Sequence, residues 1–105
     1  MTEQPSTLYA KLLGETAPIT WQELQPFFAR GALLWVRGEQ DLVAVAHAVA
    51  ENDQGKVAAW LQAGVLSKVD EVCAQDLLVR DPKLWTVVVA PWVLVQERAE
   101  TETPN

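Results

Sequence analysis

His47 and Glu51 are the two side chains whose types and spacing come nearest to a catalytic or ligand-binding arrangement. His47 is the only histidine of the chain, and Glu51 follows four residues later, on the same face of a predicted helix. An imidazole oriented by a carboxylate can act as a general base, and the two groups together can supply ligands to a metal. A metal would need a further ligand, for which Asp53 and Glu39 are candidates.

The same spacing also describes an ordinary pair on a helix surface, which stabilises a helix by about 0.2–0.5 kcal/mol. We favour this interpretation, so His47 and Glu51 are weak candidates for a ligand-binding pocket. The sequence contains no glycine-rich phosphate loop, no Gly-x-Ser-x-Gly turn and no paired-cysteine motif. We therefore predict no catalytic residue, no metal site and no cofactor, and we favour a protein that is not an enzyme.

Cys73 is the only cysteine, and one thiol can neither close an internal disulfide nor hold zinc by itself. A predicted helix capped by Asp70 places it near a helix N-terminus, which lowers the pKa of a thiol. The carboxylates of Asp70, Glu71 and Asp76 act in the opposite sense, so we predict a thiol packed in the core. Without a disulfide framework or an export signal, the sequence predicts a cytoplasmic protein.

Charge and hydropathy argue against two classes of partner. The net charge is −6, and the basic residues are scattered rather than gathered into the stripe that neutralises phosphates, so we expect no nucleic acid. The longest apolar run, residues 84–95, has 12 residues and includes Pro91. Because a membrane-spanning helix needs about 20 residues, we expect no membrane segment.

The tryptophan content points to a contact surface. Five tryptophans in 105 residues are more than a small core readily encloses with a partner for every indole N–H. Aromatic side chains are enriched at protein interfaces. We therefore take Trp21, Trp85 and Trp92 as candidate interaction residues.

Helix boundaries can be read from caps and breakers. Thr20 and Glu23 form a capping box, and Pro26 predicts a kink or break in the helix that follows. Aspartates cap two later helices, and isolated glycines end others. The expected helices cover residues 7–13, 20–30, 41–52, 56–63 and 70–80.

Valine-rich and glycine-bounded apolar runs predict the strands. Pro91 divides the longest run into two segments bent at Ala90–Pro91. The expected strands are 32–37, 84–90 and 92–96, with 65–69 as a possible fourth. The fold class is α+β: a small, mainly antiparallel sheet of three to four strands packed with four to five helices. We expect Trp92–Val95 to be an exposed edge of this sheet.

The chain has the length of one domain. We predict a single α+β domain over residues 6–96. Residues 1–5 and the acidic tail 97–105 are polar, and we predict that both are disordered.

Six segments of the chain form a recognisable set of motifs: Thr20–Leu24, Phe27–Gly31, Asp41–Val43, Trp60–Leu61, Leu84–Trp85 and Val87–Gln96. Together they resemble a known bacterial family, the domain of unknown function 2288. The resemblance covers about residues 8–96, and its most specific element is the segment from Val87 to Gln96. It implies a small bacterial cytoplasmic protein and no activity, so it transfers no functional residue.

The sequence leaves two functions open. Excess tryptophan and a very apolar strand pair favour a non-enzymatic protein-interaction module that associates with itself or with another protein. The alternative is a small-molecule-binding protein or enzyme, with His47, Glu51 and a tryptophan lining a pocket.

Overall fold

The structure, a computed structural model, describes residues 6–98 of the 105-residue chain. Of the two segments predicted to be disordered, residues 1–5 and 99–105 lie outside the described residues. Residues 6–98 form five helices: α1 (Ser6–Glu15), α2 (Trp21–Ala29), α3 (Leu42–Ala50), α4 (Gln54–Ala63) and α5 (Glu71–Arg80). They also form five strands: β1 (Ala17–Ile19), β2 (Leu33–Val36), β3 (Leu66–Lys68), β4 (Leu84–Val89) and β5 (Trp92–Glu97).

The five strands form one mixed sheet in the order β1-β4-β5-β2-β3. Strands β2 and β5 are parallel, whereas the other three neighbouring pairs are antiparallel. The α+β class is confirmed, but the prediction of a mainly antiparallel sheet of three to four strands is wrong. The parallel pair arises because α3, α4, β3 and α5 separate β2 from the β4–β5 hairpin. The short strand β1 was missed because Ala-Pro-Ile carries no alternating pattern.

Strand β5 lies between β4 and β2, so the prediction that Trp92–Val95 forms an exposed edge is wrong. Apolar residues on both faces of β5 indicate a central strand rather than an edge, because a strand covered on both faces needs no polar face. The edges of the sheet are β1 and β3, which contain Pro18 and Lys68. Proline and lysine are residues that discourage an edge strand from pairing with another chain.

Helices pack on both faces of the sheet and enclose two separate cores. The first core lies under α1, α3 and α4, and the second lies under α2 and α5. Successive residues of β5 enter alternate cores, as the two-residue period of a strand requires: Leu94 belongs to the first, and Val93 and Val95 belong to the second.

The chain reverses completely between β4 and β5. Val89 pairs with Trp92, so the connection contains only Ala90 and Pro91, and the peptide bond between them is cis. The division of the apolar run into two strands is confirmed. The connection is a tight turn rather than a bend, and Pro91 therefore lies outside the hydrogen-bonded ladder.

Three helices end in the same way. The residue after the last turn adopts a left-handed conformation at Gly31, Asn52 and Gly64. Each end carries the paired backbone hydrogen bonds of a Schellman motif, in which the next two amides bond back to the last turn. The expected stops at Gly31 and Gly64 are confirmed, whereas Gly14 and Gly55 lie inside α1 and α4.

The capping box is also confirmed: the Thr20 side chain accepts from the Glu23 amide, and the Glu23 carboxylate accepts from the Thr20 amide. Helix α2 continues through Pro26 to Ala29 as one element. The proline cannot donate a hydrogen bond to the Gln22 carbonyl, so it weakens this helix without ending it.

We expect Pro26→Ala to raise the free energy of unfolding by about 1–3 kcal/mol, because alanine restores that hydrogen bond and favours the helix. Urea denaturation measures the change. Gln25→Ala, at the exposed neighbouring position, is the matched control and should change stability by less than about 0.5 kcal/mol. A Pro26→Ala protein no more stable than wild type would contradict this assignment.

Candidate functional site

The structure separates the three candidate tryptophans. Trp21 belongs to the second core, is only 4% exposed and lies 5.7 Å from the Phe28 ring, centroid to centroid. Trp85 and Trp92 lie on the opposite face of the sheet, both half-buried against the first core. They stand at the two ends of the β4–β5 hairpin, where Trp85 pairs with Gln96 and Trp92 pairs with Val89.

Trp92 lines a groove of about 470 Å³, within the size range of ligand sites in proteins. We call it the Trp92 groove. It lies between the α3–α4 corner and the turn of the β4–β5 hairpin, and most of its wall is apolar. The lining residues are Leu34, Val49, Ala50, Asn52, Asp53, Gln54, Val57, Ala58, Leu61, Val89, Ala90 and Trp92.

The polar end of the groove is the corner between α3 and α4. Asn52 takes the left-handed position that ends α3, with φ 58°, a conformation that asparagine tolerates better than most residues. Asp53 follows at once as the N-cap of α4, and its carboxylate accepts a hydrogen bond from the Lys56 amide at 3.2 Å. The amide of Asp53 donates to the Ala48 carbonyl at 2.9 Å. One residue thus joins both helices and fixes the angle between them.

Asp53 is the one charged side chain among the residues that line the groove. Glu51, exposed and two residues earlier, adds negative charge at the same corner. The arrangement therefore has an apolar wall and an acidic end. It can hold an apolar group while accepting hydrogen bonds from a donor beside it.

His47 and Glu51, the predicted weak candidates for a pocket, lie apart from the Trp92 groove. His47 is half-buried on α3 and Glu51 is exposed at the C-cap. Neither lines the Trp92 groove. Their described link is a backbone bond, from the Glu51 amide to the His47 carbonyl at 2.9 Å. Among residues 6–98, no group of three histidine, cysteine or acidic side chains could hold a metal.

Two groove residues come from one face of α4. Val57 and Leu61 lie one turn apart on α4, and the structure leaves Leu61 48% exposed at the groove. A large aliphatic side chain near a helix end, on a helix without fully buried residues, is a weak signal of a contact surface.

Trp85 occupies a different environment. The Arg98 guanidinium lies 4.6 Å from the centre of its ring, a cation–π contact. Its strand partner Gln96 is buried, and the Gln96 side-chain amide donates to the backbone carbonyls of Arg37 and Gln40. Gln96 therefore fixes the turn that precedes α3. Sequence reasoning missed this role, because nothing local distinguishes a buried glutamine from an exposed one.

Cys73 is half-buried beside the second core. Burial raises the pKa of its thiol, and the carboxylates of Asp70 and Asp76 raise it further, while Arg80 acts in the opposite direction. The lowering expected from the helix N-terminus does not prevail. A thiol of this kind stays protonated and unreactive at neutral pH.

Helices on both faces of an open mixed sheet define a small α+β domain, with an apolar groove at one end. None of the helices described here is long and apolar enough to cross a membrane. The chain belongs to the family described as protein of unknown function DUF2288, whose model matches residues 7–97. This confirms the resemblance seen in the sequence.

The chain is also similar to a protein of known structure. It shares 68% identity with PA1075 from Pseudomonas aeruginosa, solved by NMR in solution, over 100% of this chain and 97% of that one, with a TM-score of 0.81. No curated protein matches. The family's function is unknown, so a functional argument rests on the geometry of the groove.

We expect Asn52→Ala to lower the free energy of unfolding by about 1 kcal/mol, because alanine resists the left-handed conformation. Asn52→Gly should keep or raise stability, since glycine adopts it freely. Urea denaturation of both proteins checks the difference. Gln54→Ala, in the adjoining turn of α4, is the control. Equal stability of the alanine and glycine proteins would show that the corner is not held by this conformation.

We also expect Cys73 to be alkylated slowly by iodoacetamide at neutral pH. The pKa raised above the ordinary value of 9.0 keeps the thiolate scarce, so the rate should still be increasing above that pH. The chain unfolded in urea serves as the control and should react faster at neutral pH. Faster reaction of the folded protein would mean that the helix N-terminus dominates.

Proposed function

We propose that the protein is a non-enzymatic protein-interaction module and that the Trp92 groove is its contact site. The observation that carries the proposal is the combination of a half-buried tryptophan with an exposed leucine on one apolar groove. Central aromatic anchors in apolar recesses supply much of the energy of protein interfaces. Trp92 and Leu61 both line this apolar recess.

The proposal is one of binding rather than catalysis. General acid–base catalysis needs a side chain placed to exchange a proton with a reacting atom, whereas the single carboxylate in the groove, that of Asp53, already caps α4. The acidic end also suits a protein partner better than a nucleic acid, whose phosphates it would repel. We place the module in the cytoplasm, because its one cysteine fits a reducing compartment.

Leu61 provides the sharpest test, because it is exposed and its replacement should leave the fold intact. We expect Leu61→Glu to lose at least about tenfold in affinity for the partner, since it puts a charge into an apolar contact. Leu13→Glu is the control: Leu13 is 56% exposed and does not line the groove.

The measurement has two stages. Wild-type protein and both variants are used to capture proteins from a cell lysate, and those lost only with Leu61→Glu are purified. Isothermal titration then measures the affinity of each purified partner for wild type, Leu61→Glu and Leu13→Glu. If every captured protein binds Leu61→Glu as tightly as Leu13→Glu, the groove is not the contact site.

Self-association is a second candidate, which a different surface favours. Three large apolar side chains stand out from α5, Val72 and Val79 at 78% exposed and Leu78 at 56%. Val72 and Val79 are two helical turns apart, so they share one ridge. In a two-fold dimer the same surface of each copy forms the interface, so this ridge would pack against the same ridge of a second copy.

Light scattering across a concentration series tests this second surface. We expect wild type to dimerise and Val72→Glu to remain monomeric at concentrations where wild type associates. Val88→Glu is the matched control, because Val88 is also exposed, at 54%, but lies on β4 rather than α5. A wild-type monomer throughout, or equal loss in both variants, would remove α5 as a self-association surface.

A further inference from the structure

We infer that the protein segment bound in the Trp92 groove carries a lysine or arginine beside its apolar anchor. This inference rests on the proposed function and specifies its partner. The anchor would enter the apolar wall formed by α4 and the hairpin, and the cation would face Asp53 at the α3–α4 corner.

The charge of the groove is the first argument. Its lining contains one carboxylate and no basic side chain. The nearest basic residue along α4, Lys56, is exposed and does not line the groove. A cation brought to this end meets Asp53 and, next to it, Glu51. The same two carboxylates would repel an anionic group.

The fixed position of Asp53 is the second argument. Its Oδ1 accepts the Lys56 amide at 3.2 Å, and its own amide bonds to the Ala48 carbonyl at 2.9 Å. The carboxylate is thus held before any partner arrives, which lowers the entropy cost of forming an ion pair. The second oxygen is not needed for the cap and can receive a charged donor.

The helix dipoles do not reverse this preference. The positive end of α4 favours anions, but the negative end of α3 meets it at the same corner and offsets it. The full charge of the Asp53 carboxylate therefore decides the sign of the local field.

The same charge argues against a second copy in this groove. The chain carries a net charge of −6, and a symmetric contact there would bring two acidic corners together. The occupant that the groove favours is a different protein with local positive charge.

A random heptapeptide library displayed on phage tests the inference without assuming a sequence. Selections are run against wild type, Asp53→Asn, Leu61→Glu and Asp70→Asn. Asparagine is a good N-cap, so Asp53→Asn removes the charge and keeps the corner. Asp70→Asn makes the same change at the cap of α5, under which the other core lies.

We expect peptides selected on wild type to pair a large apolar residue with lysine or arginine at an adjacent position. Titration of a selected peptide should show affinity about two- to fivefold weaker for Asp53→Asn, the size of a partly exposed ion pair, and no change for Asp70→Asn. The basic residue should no longer be enriched in the Asp53→Asn selection, while the apolar residue should remain.

Two results would overturn the inference in different ways. Peptides that need Leu61 but show no basic enrichment would refute the charge preference and leave the groove as a contact site. Selections in which Leu61→Glu recovers the same peptides as wild type would refute both the inference and the proposed function.

Discussion

The arrangement of the molecule depends on one constraint: β5 must be covered on both faces and paired on both sides. Its residues alternate between two cores, so helices have to pack above and below the sheet. Its pairing with β2 makes the sheet mixed, and its pairing with β4 makes the hairpin that carries Trp92. At its far end Glu97 accepts from Arg80 at 2.9 Å, and Asp76 shares the same guanidinium. This links β5 to α5 by contacts that solvent weakens.

Local signals predicted the helices well, because caps and left-handed stops act over four or five residues. The Thr20 box and the caps at Asp41 and Asp70 are all present. Such signals could not predict the strand order, since the paired residues of β2 and β5, such as Leu33 and Val93, are 60 positions apart in the sequence. The apolar character of β5 on both faces did indicate a central strand. Our prediction instead placed Trp92–Val95 at an edge of a small open sheet.

The candidate site shows what residue spacing leaves undetermined. His47 and Glu51 have the correct interval for one helix face, but α3 ends at Ala50 and Glu51 is already its C-cap. The hydrogen bond described between the two residues is a backbone bond, from the Glu51 amide to the His47 carbonyl. The groove, in contrast, collects residues from α3, α4, β2 and the hairpin. No single stretch of sequence contains it, and of its lining residues only Trp92 and Asp53 were singled out beforehand, Asp53 in another role.

The corner at Asn52 and Asp53 has no spare residue: one ends a helix and the next begins another. After an insertion between them, the residue that bonds back to the Ala48 carbonyl would no longer be the residue that caps α4, so a single residue would not hold both helices. The width of the groove is therefore set by chain length at one point. Its apolar lining, in contrast, can change one side chain at a time. Such a scaffold can acquire a new partner by substitutions in the lining while the width of the groove stays constant. Related chains should therefore vary at the lining residues before they vary at Asn52 and Asp53.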